Sequence, residues 1–134
     1  MIYTGYFGKY EEYLKAGLTA YSIARYTPSW WQGRTVGREL KELAPSEELL
    51  QGYKKGKIGI TEYRLTYINQ LEHVKWQKIL RLFDELNDEL ILLCYETPYK
   101  FCHRHILAEY LRDNDIEIWE WNTTKGGIIY GVSS

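Results

Sequence analysis

Glu89-Leu90-Ile91-Leu92-Leu93-Cys94-Tyr95 is the most apolar run of the chain, and it is strand-sized. It shows no alternation of polar and apolar residues, so a strand here is covered on both faces, as central strands of parallel sheets are. After a short loop, Phe101 to Arg112 places Ile106, Leu107, Tyr110 and Leu111 on one helical face. Toward the N-terminus, Ile2 to Tyr6 is β-prone, with Gly5 and Gly8 breaking the run. Tyr10 to Ala16 reads as a helix that stops at Gly17, and Leu18 to Ala24 reads as a second strand. A β-α-β start of this kind implies parallel strands joined by a crossover. Toward the C-terminus, Ile116 to Trp121 alternates as a strand, and Ile128 to Val132 can return as a hairpin after the polar Asn122 to Gly127.

The segment between the second and third strands is helical in pattern. Arg25 to Gly37 reads as a loop punctuated by Pro28 and Gly33, and Arg38 to Leu43 as a helical turn. Ser46 caps a helix with Glu47 and Glu48 in its first turn, running to about Tyr53. Thr61 to His73 and Trp76 to Leu86 are two further helices. The expected fold is therefore α/β: a small, mostly parallel sheet flanked by helices, with a helical insertion between its second and third strands. Residues 1–134 are expected to form a single domain, which suits the usual size of roughly 100–200 residues.

Composition narrows the function classes. Seventeen Lys and Arg against eighteen Asp and Glu give a formal net charge of −1, which excludes a generally basic, phosphate-coating surface. Any nucleic-acid contact needs a local patch, and Lys54-Lys55-Gly56-Lys57 is a short one. The start of the chain lacks the basic and apolar stretches of a secretory signal. No apolar run approaches the roughly 18–20 residues needed to span a membrane. The expectation is a cytosolic chain with no membrane partner, whose two cysteines serve as thiols, metal ligands or reactive groups rather than as a structural disulfide. Aromatic residues make up 16% of the chain, enough to fill a small core or to form a stacking platform.

Ligands of parallel sheets sit beyond the carboxyl ends of the strands. Those ends hold Tyr6 to Gly8, Arg25, Cys94 to Glu96 and Trp119 to Trp121. Cys94 to His105 packs both cysteines and two of the three histidines into a strand–loop–helix junction. The start of a helix offers unpaired N–H groups and partial positive charge, which favour a thiolate or a bound anion. Four readings follow. Cys102 or Cys94 is a nucleophile in an anion pocket, with Glu96 and His103 as acid/base groups and Arg25, Arg104 and Trp30 as ligand contacts. Cys94, Cys102 and a histidine hold a metal, although Cys-x7-Cys-His-x-His is not a standard zinc spacing. The cysteines form a redox pair, without the usual Cys-x-x-Cys spacing. Or the thiols and histidines simply pack in the core. The spacing argues for no tightly bound metal, and no cofactor is expected.

The same residues carry a family resemblance. Leu92-Leu93-Cys94-Tyr95-Glu96, then Phe101-Cys102-His103-Arg104-His105 and Ala108-Glu109-Tyr110-Leu111, resemble the signature of domain-of-unknown-function family 488. Ile2-Tyr3-Thr4 is similar to that family's first strand, and Arg25, Pro28 and Trp30 to its Arg-x-x-Pro-x-Trp loop. Leu43-Ala44-Pro45 and Tyr53-Lys54-x-Gly56-x-Ile58 are similar to its short bacterial and phage-like branch. The resemblance runs to about Trp121 and leaves residues 122–134 uncovered. It implies an α/β domain and a shared set carried here by Arg25, Cys94, Glu96, Cys102, His103 and Arg104. It implies no reaction.

The functional expectation is a pocket at the carboxyl edge of the sheet that binds a small anionic metabolite, a nucleotide or a phosphorylated sugar, with Cys-dependent chemistry within reach. Its rivals are a non-enzymatic module for nucleic acid or protein and a zinc-binding structural adaptor.

Overall fold

The computed structural model describes residues 1–32, 37–97, 99–122 and 127–129. Strand β1 (Ile2–Tyr6) lies parallel to β3 (Leu90–Cys94) on one side and to β4 (Ile118–Asn122) on the other. Strand β2 (Thr19–Ser22) pairs in parallel with β3, giving the order β2-β3-β1-β4. A short β5 (Gly127–Ile129) adds antiparallel to β4. Helices α3 (Glu47–Lys54), α4 (Ile60–Glu72) and α5 (Trp76–Glu85) form the insertion between β2 and β3. The α/β architecture read from the sequence is the one observed.

Pleating sorts the side chains onto two faces. Leu90, Leu92 and Cys94 face one side, with Ile2 of β1 and Ile118 of β4. They meet Leu49 of α3, Tyr63, Tyr67 and Leu71 of α4, and Ile106, Leu107 and Leu111 of α6 (His103–Asp113). Ile91 and Leu93 face the other side, against Tyr10 and Tyr13 of α1 (Tyr10–Lys15) and Trp31 of α2 (Ser29–Gln32). Every residue of β3 is buried, as its unbroken apolar run predicts. The neighbouring strands β1 and β3 send their crossovers to opposite faces, which opens a crevice beyond their carboxyl ends.

Several local expectations are corrected. Gly5 does not break the first strand; it lies inside β1. A Cβ there would sit 2.6 Å from the Tyr13 hydroxyl, so glycine lets the tyrosine close against the strand, where it accepts a hydrogen bond from the Tyr6 N–H at 3.1 Å. The loop after β2 contains the short α2, anchored by Trp31 between Phe7 and Tyr10. The stretch from Arg38 is not one helical turn: Glu39 bridges to Ser22 before a 3-10 turn forms at Lys41–Leu43. The helix after β3 begins at His103, which makes Cys102 its N-cap residue. Ser46 caps α3 as expected, accepting from the Leu49 N–H at 3.2 Å. The expected hairpin return over Ile128 to Val132 runs past residue 129, beyond which it lies outside the described residues. Among the described residues, no helix is long and apolar enough to cross a membrane.

Candidate functional site

The strand–loop–helix junction after β3 folds back so that residues eight apart meet. Cys94 ends β3 on the face toward α6, and Cys102 opens that helix. Their sulfurs are in bonding contact and pair as a disulfide, where the sequence led us to expect thiols. The Cα atoms lie 7.6 Å apart.

His103 completes the cluster. Its Nε2 lies 2.6 Å from the Ile23 carbonyl, and its Nδ1 lies 3.7 Å from the Cys102 sulfur. A carbonyl only accepts, so Nε2 carries the proton and Nδ1 presents its lone pair to the sulfurs. Burial lowers the His103 pKa to about 4, and the positive charge of Arg104 acts in the same direction, against the partial support of the Ile23 hydrogen bond. The ring is therefore neutral at pH 7. Tyr67 packs edge-on to it with centroids 5.6 Å apart.

Arg104 lies behind this cluster with a side-chain exposure of 0%. Its Nε and Nη2 grip the two oxygens of Glu120 at 2.9 and 2.8 Å, and Nη1 donates to the Cys94 sulfur at 2.8 Å. The Thr4 hydroxyl donates to Glu120 at 2.6 Å. The backbone register explains the group: Thr4 is opposite Glu120, and Tyr6 is opposite Cys94. Alternate residues of three neighbouring strands thus face the first turn of α6. A bidentate, fully buried pair of this kind is strong in geometry and costly to break from one side.

In front of the cluster is a cavity of about 410 Å³. Cys94, Cys102 and His103 form its buried end. Tyr53, Tyr63 and Phe101 line its wall and pack on one another at centroid separations of 5.1–5.3 Å. Arg25, Tyr26, Lys54, Tyr95 and Glu96 reach it from the more exposed side. Arg25 is held in place by its Nε donating to the Pro45 carbonyl at 2.9 Å and its Nη2 to Lys41 at 3.5 Å. The Tyr95 hydroxyl donates to the Tyr26 backbone carbonyl at 2.5 Å, which ties the Tyr95 ring to the loop after β2.

Of the residues singled out in the sequence, Arg25, Cys94, Glu96, Cys102 and His103 converge on this cavity. Arg104 belongs to the buried network behind it, and Trp30 is 54% exposed on α2 and is not among the lining residues. Residues 10–115 match the family model described as the active DUF488-N3 subclade, DUF488-N3a. The chain belongs to the DUF488 family. The matched span holds Arg25, Cys94, Glu96, Cys102, His103 and Arg104, whereas Thr4 and Glu120 lie outside it. No curated protein and no solved structure matches the chain.

Sequence reasoning missed Glu120, Thr4 and the aromatic wall of this DUF488 member. Glu120 had a signal: it is the lone carboxylate in Ile118-Trp119-Glu120-Trp121, and it shares its strand face with the core residue Ile118. A charge at a core-facing strand position calls for a buried partner. The wall had no such signal, since Tyr53, Tyr63 and Phe101 lie on separate segments of the chain.

Proposed function

We propose that the cavity binds a small anionic metabolite, a nucleotide or a phosphorylated sugar, and that its buried end supplies Cys-dependent chemistry. The observation that carries this reading is the convergence of Arg25, Cys94, Glu96, Cys102 and His103 on one cavity. The aromatic wall suits the face of a ring, and Arg25 and Lys54 suit an anionic group near the mouth. A cavity of this size takes a ligand of nucleotide class. In the reduced protein, Cys102 is the nucleophile of this reading: its thiol faces the bare Nδ1 of His103, and Glu96 is the carboxylate on the exposed side. Arg104 acts through its neighbours, holding Cys94 and Glu120 in place.

The test is calorimetric titration of the reduced, full-length protein with nucleoside monophosphates and sugar phosphates. At least one is expected to bind, and Arg25→Gln is expected to weaken it about tenfold, or about 1.4 kcal/mol. No binding at millimolar concentrations, or an Arg25→Gln variant of unchanged affinity, would overturn the anion assignment.

A further inference from the structure

The buried end of the cavity has a donor set that the spacing of its residues does not announce. The Cys94 sulfur, the Cys102 sulfur and a ring nitrogen of His103 all lie within 4.8 Å of one another, and all three residues are buried. We propose that Cys94 Sγ, Cys102 Sγ and His103 Nδ1 bind one divalent cation of the zinc class, with the fourth coordination position opening into the cavity.

Five observations support this assignment. A tetrahedral zinc with Zn–S bonds of about 2.3 Å and Zn–N bonds of about 2.0 Å holds its ligand atoms roughly 3.5–3.8 Å apart. Cys102 Sγ and His103 Nδ1 already stand at 3.7 Å. The Ile23 carbonyl, 2.6 Å from Nε2, fixes the tautomer that leaves Nδ1 free to coordinate, which is the usual outer support of a metal-bound histidine. The Cα atoms of Cys94 and Cys102 are 7.6 Å apart, beyond the range of about 4.4–6.8 Å that disulfides usually span, whereas two thiolates sharing an ion tolerate a wider separation. Charge also balances. Arg104 and Glu120 neutralise each other, so two thiolates leave a charge of about −2 that a divalent cation cancels. Arg104 Nη1, 2.8 Å from the Cys94 sulfur, is placed to donate to a coordinated thiolate.

Three protein ligands with one open position is the arrangement of catalytic rather than structural zinc. A bound cation withdraws Cys102 from use as a nucleophile and offers a Lewis acid in its place. Metal occupancy would thereby decide which chemistry the cavity performs. The proposal goes beyond the ligand reading above and does not depend on it, because metal binding is measured with the cavity otherwise empty.

The experiment uses the full-length protein, reduced, stripped with a chelator and desalted. Titration with cobalt(II) is expected to give a thiolate-to-metal charge-transfer band that saturates near one equivalent, and zinc should displace the cobalt. Competition against a chromophoric chelator gives the zinc affinity. Cys94→Ser, Cys102→Ser and His103→Gln should each lower it about a hundredfold or more, while Glu85→Gln, on the exposed surface of α5, leaves it unchanged. The disulfide form should not bind. A titration without a charge-transfer band overturns the proposal, as does a His103→Gln variant of wild-type affinity. Should the variants misfold, the wild type alone decides: zinc is expected to slow iodoacetamide labelling of both cysteines at least tenfold, and equal rates with and without zinc would exclude the site. A wild-type protein that binds a nucleotide or sugar phosphate but no metal would refute this proposal and leave the ligand reading standing.

Discussion

The two faces of the sheet are built from the same strands, offset by one residue, and they follow different physics. On one face, Ile91 and Leu93 meet Phe7, Tyr10, Tyr13 and Trp31 in a cluster of packed rings, with Phe7–Trp31 and Tyr10–Trp31 centroids 5.4 and 5.6 Å apart. On the other, Leu90 and Leu92 lead to Cys94, where the apolar core gives way to Thr4, Arg104 and Glu120. Aromatic packing is tolerant in chemistry and strict in shape. A buried polar network is strict in chemistry, because each charge must find its partner away from water. The contrast teaches that full burial of a strand does not reveal which of its faces holds a buried polar network; the first charged neighbour on the adjoining strand does.

The largest expected effect tests the polar face. Glu120→Ala strips the partner from a guanidinium that is 0% exposed, and is expected to cost about 3–5 kcal/mol in urea unfolding at pH 7. Replacing both partners, Arg104→Met with Glu120→Leu, should recover most of that loss, since the unpaired charge is gone. A Glu120→Ala cost below about 1 kcal/mol would place this pair among ordinary surface ion pairs and erase the contrast.

A somewhat smaller effect separates the faces by pH. The folded state holds His103 at about 4, against an ordinary value of 6.5. Between those values the unfolded chain binds a proton that the folded chain refuses, so acid favours unfolding. The contribution is intact above about pH 6.5 and is lost progressively as the pH falls toward 4, to the extent of about 3 kcal/mol. Unfolding in the presence of chelator should show this slope in the wild type and a flatter one in His103→Gln. Parallel profiles would mean that the imidazole is hydrated. Among the described residues, the buried members of the aromatic cluster include no His, Asp or Glu.

The smallest effect tests shape on the aromatic face. Gly5→Ala places a methyl 2.6 Å from the Tyr13 hydroxyl and 2.8 Å from an Ile91 methyl carbon. Overpacking of this kind costs about 1–3 kcal/mol, read as a lower melting temperature. Combining it with Tyr13→Ala should lower the cost of Gly5→Ala, leaving the part that comes from the Ile91 contact. An unchanged cost in that background would locate the strain in the strand rather than in the ring.

The outline of the fold and half of the site lie in local sequence. An unbroken apolar run, a capping serine and apolar residues at helical spacing are short-range signals, so β3, α3 and the insertion helices are legible without tertiary contacts. The clustering of Cys94, Cys102 and His103 is legible for the same reason: the three lie within ten residues of one another at a strand–helix junction. The role of Arg104 is not. Its charge reads as an anion contact until Glu120 is brought opposite Thr4 by strand register. The misreading of Gly5 has the same origin, since its meaning depends on a tyrosine that packs back from the following helix. By itself the sequence determined most of the elements, the family and the segment where the cysteines and His103 cluster, because periodicity, capping and motif spacing act within a few residues. Only the tertiary structure decided which groups are partnered, which face the cavity and which donor atoms meet, because those depend on pleat, register and crossover direction between segments far apart in the chain.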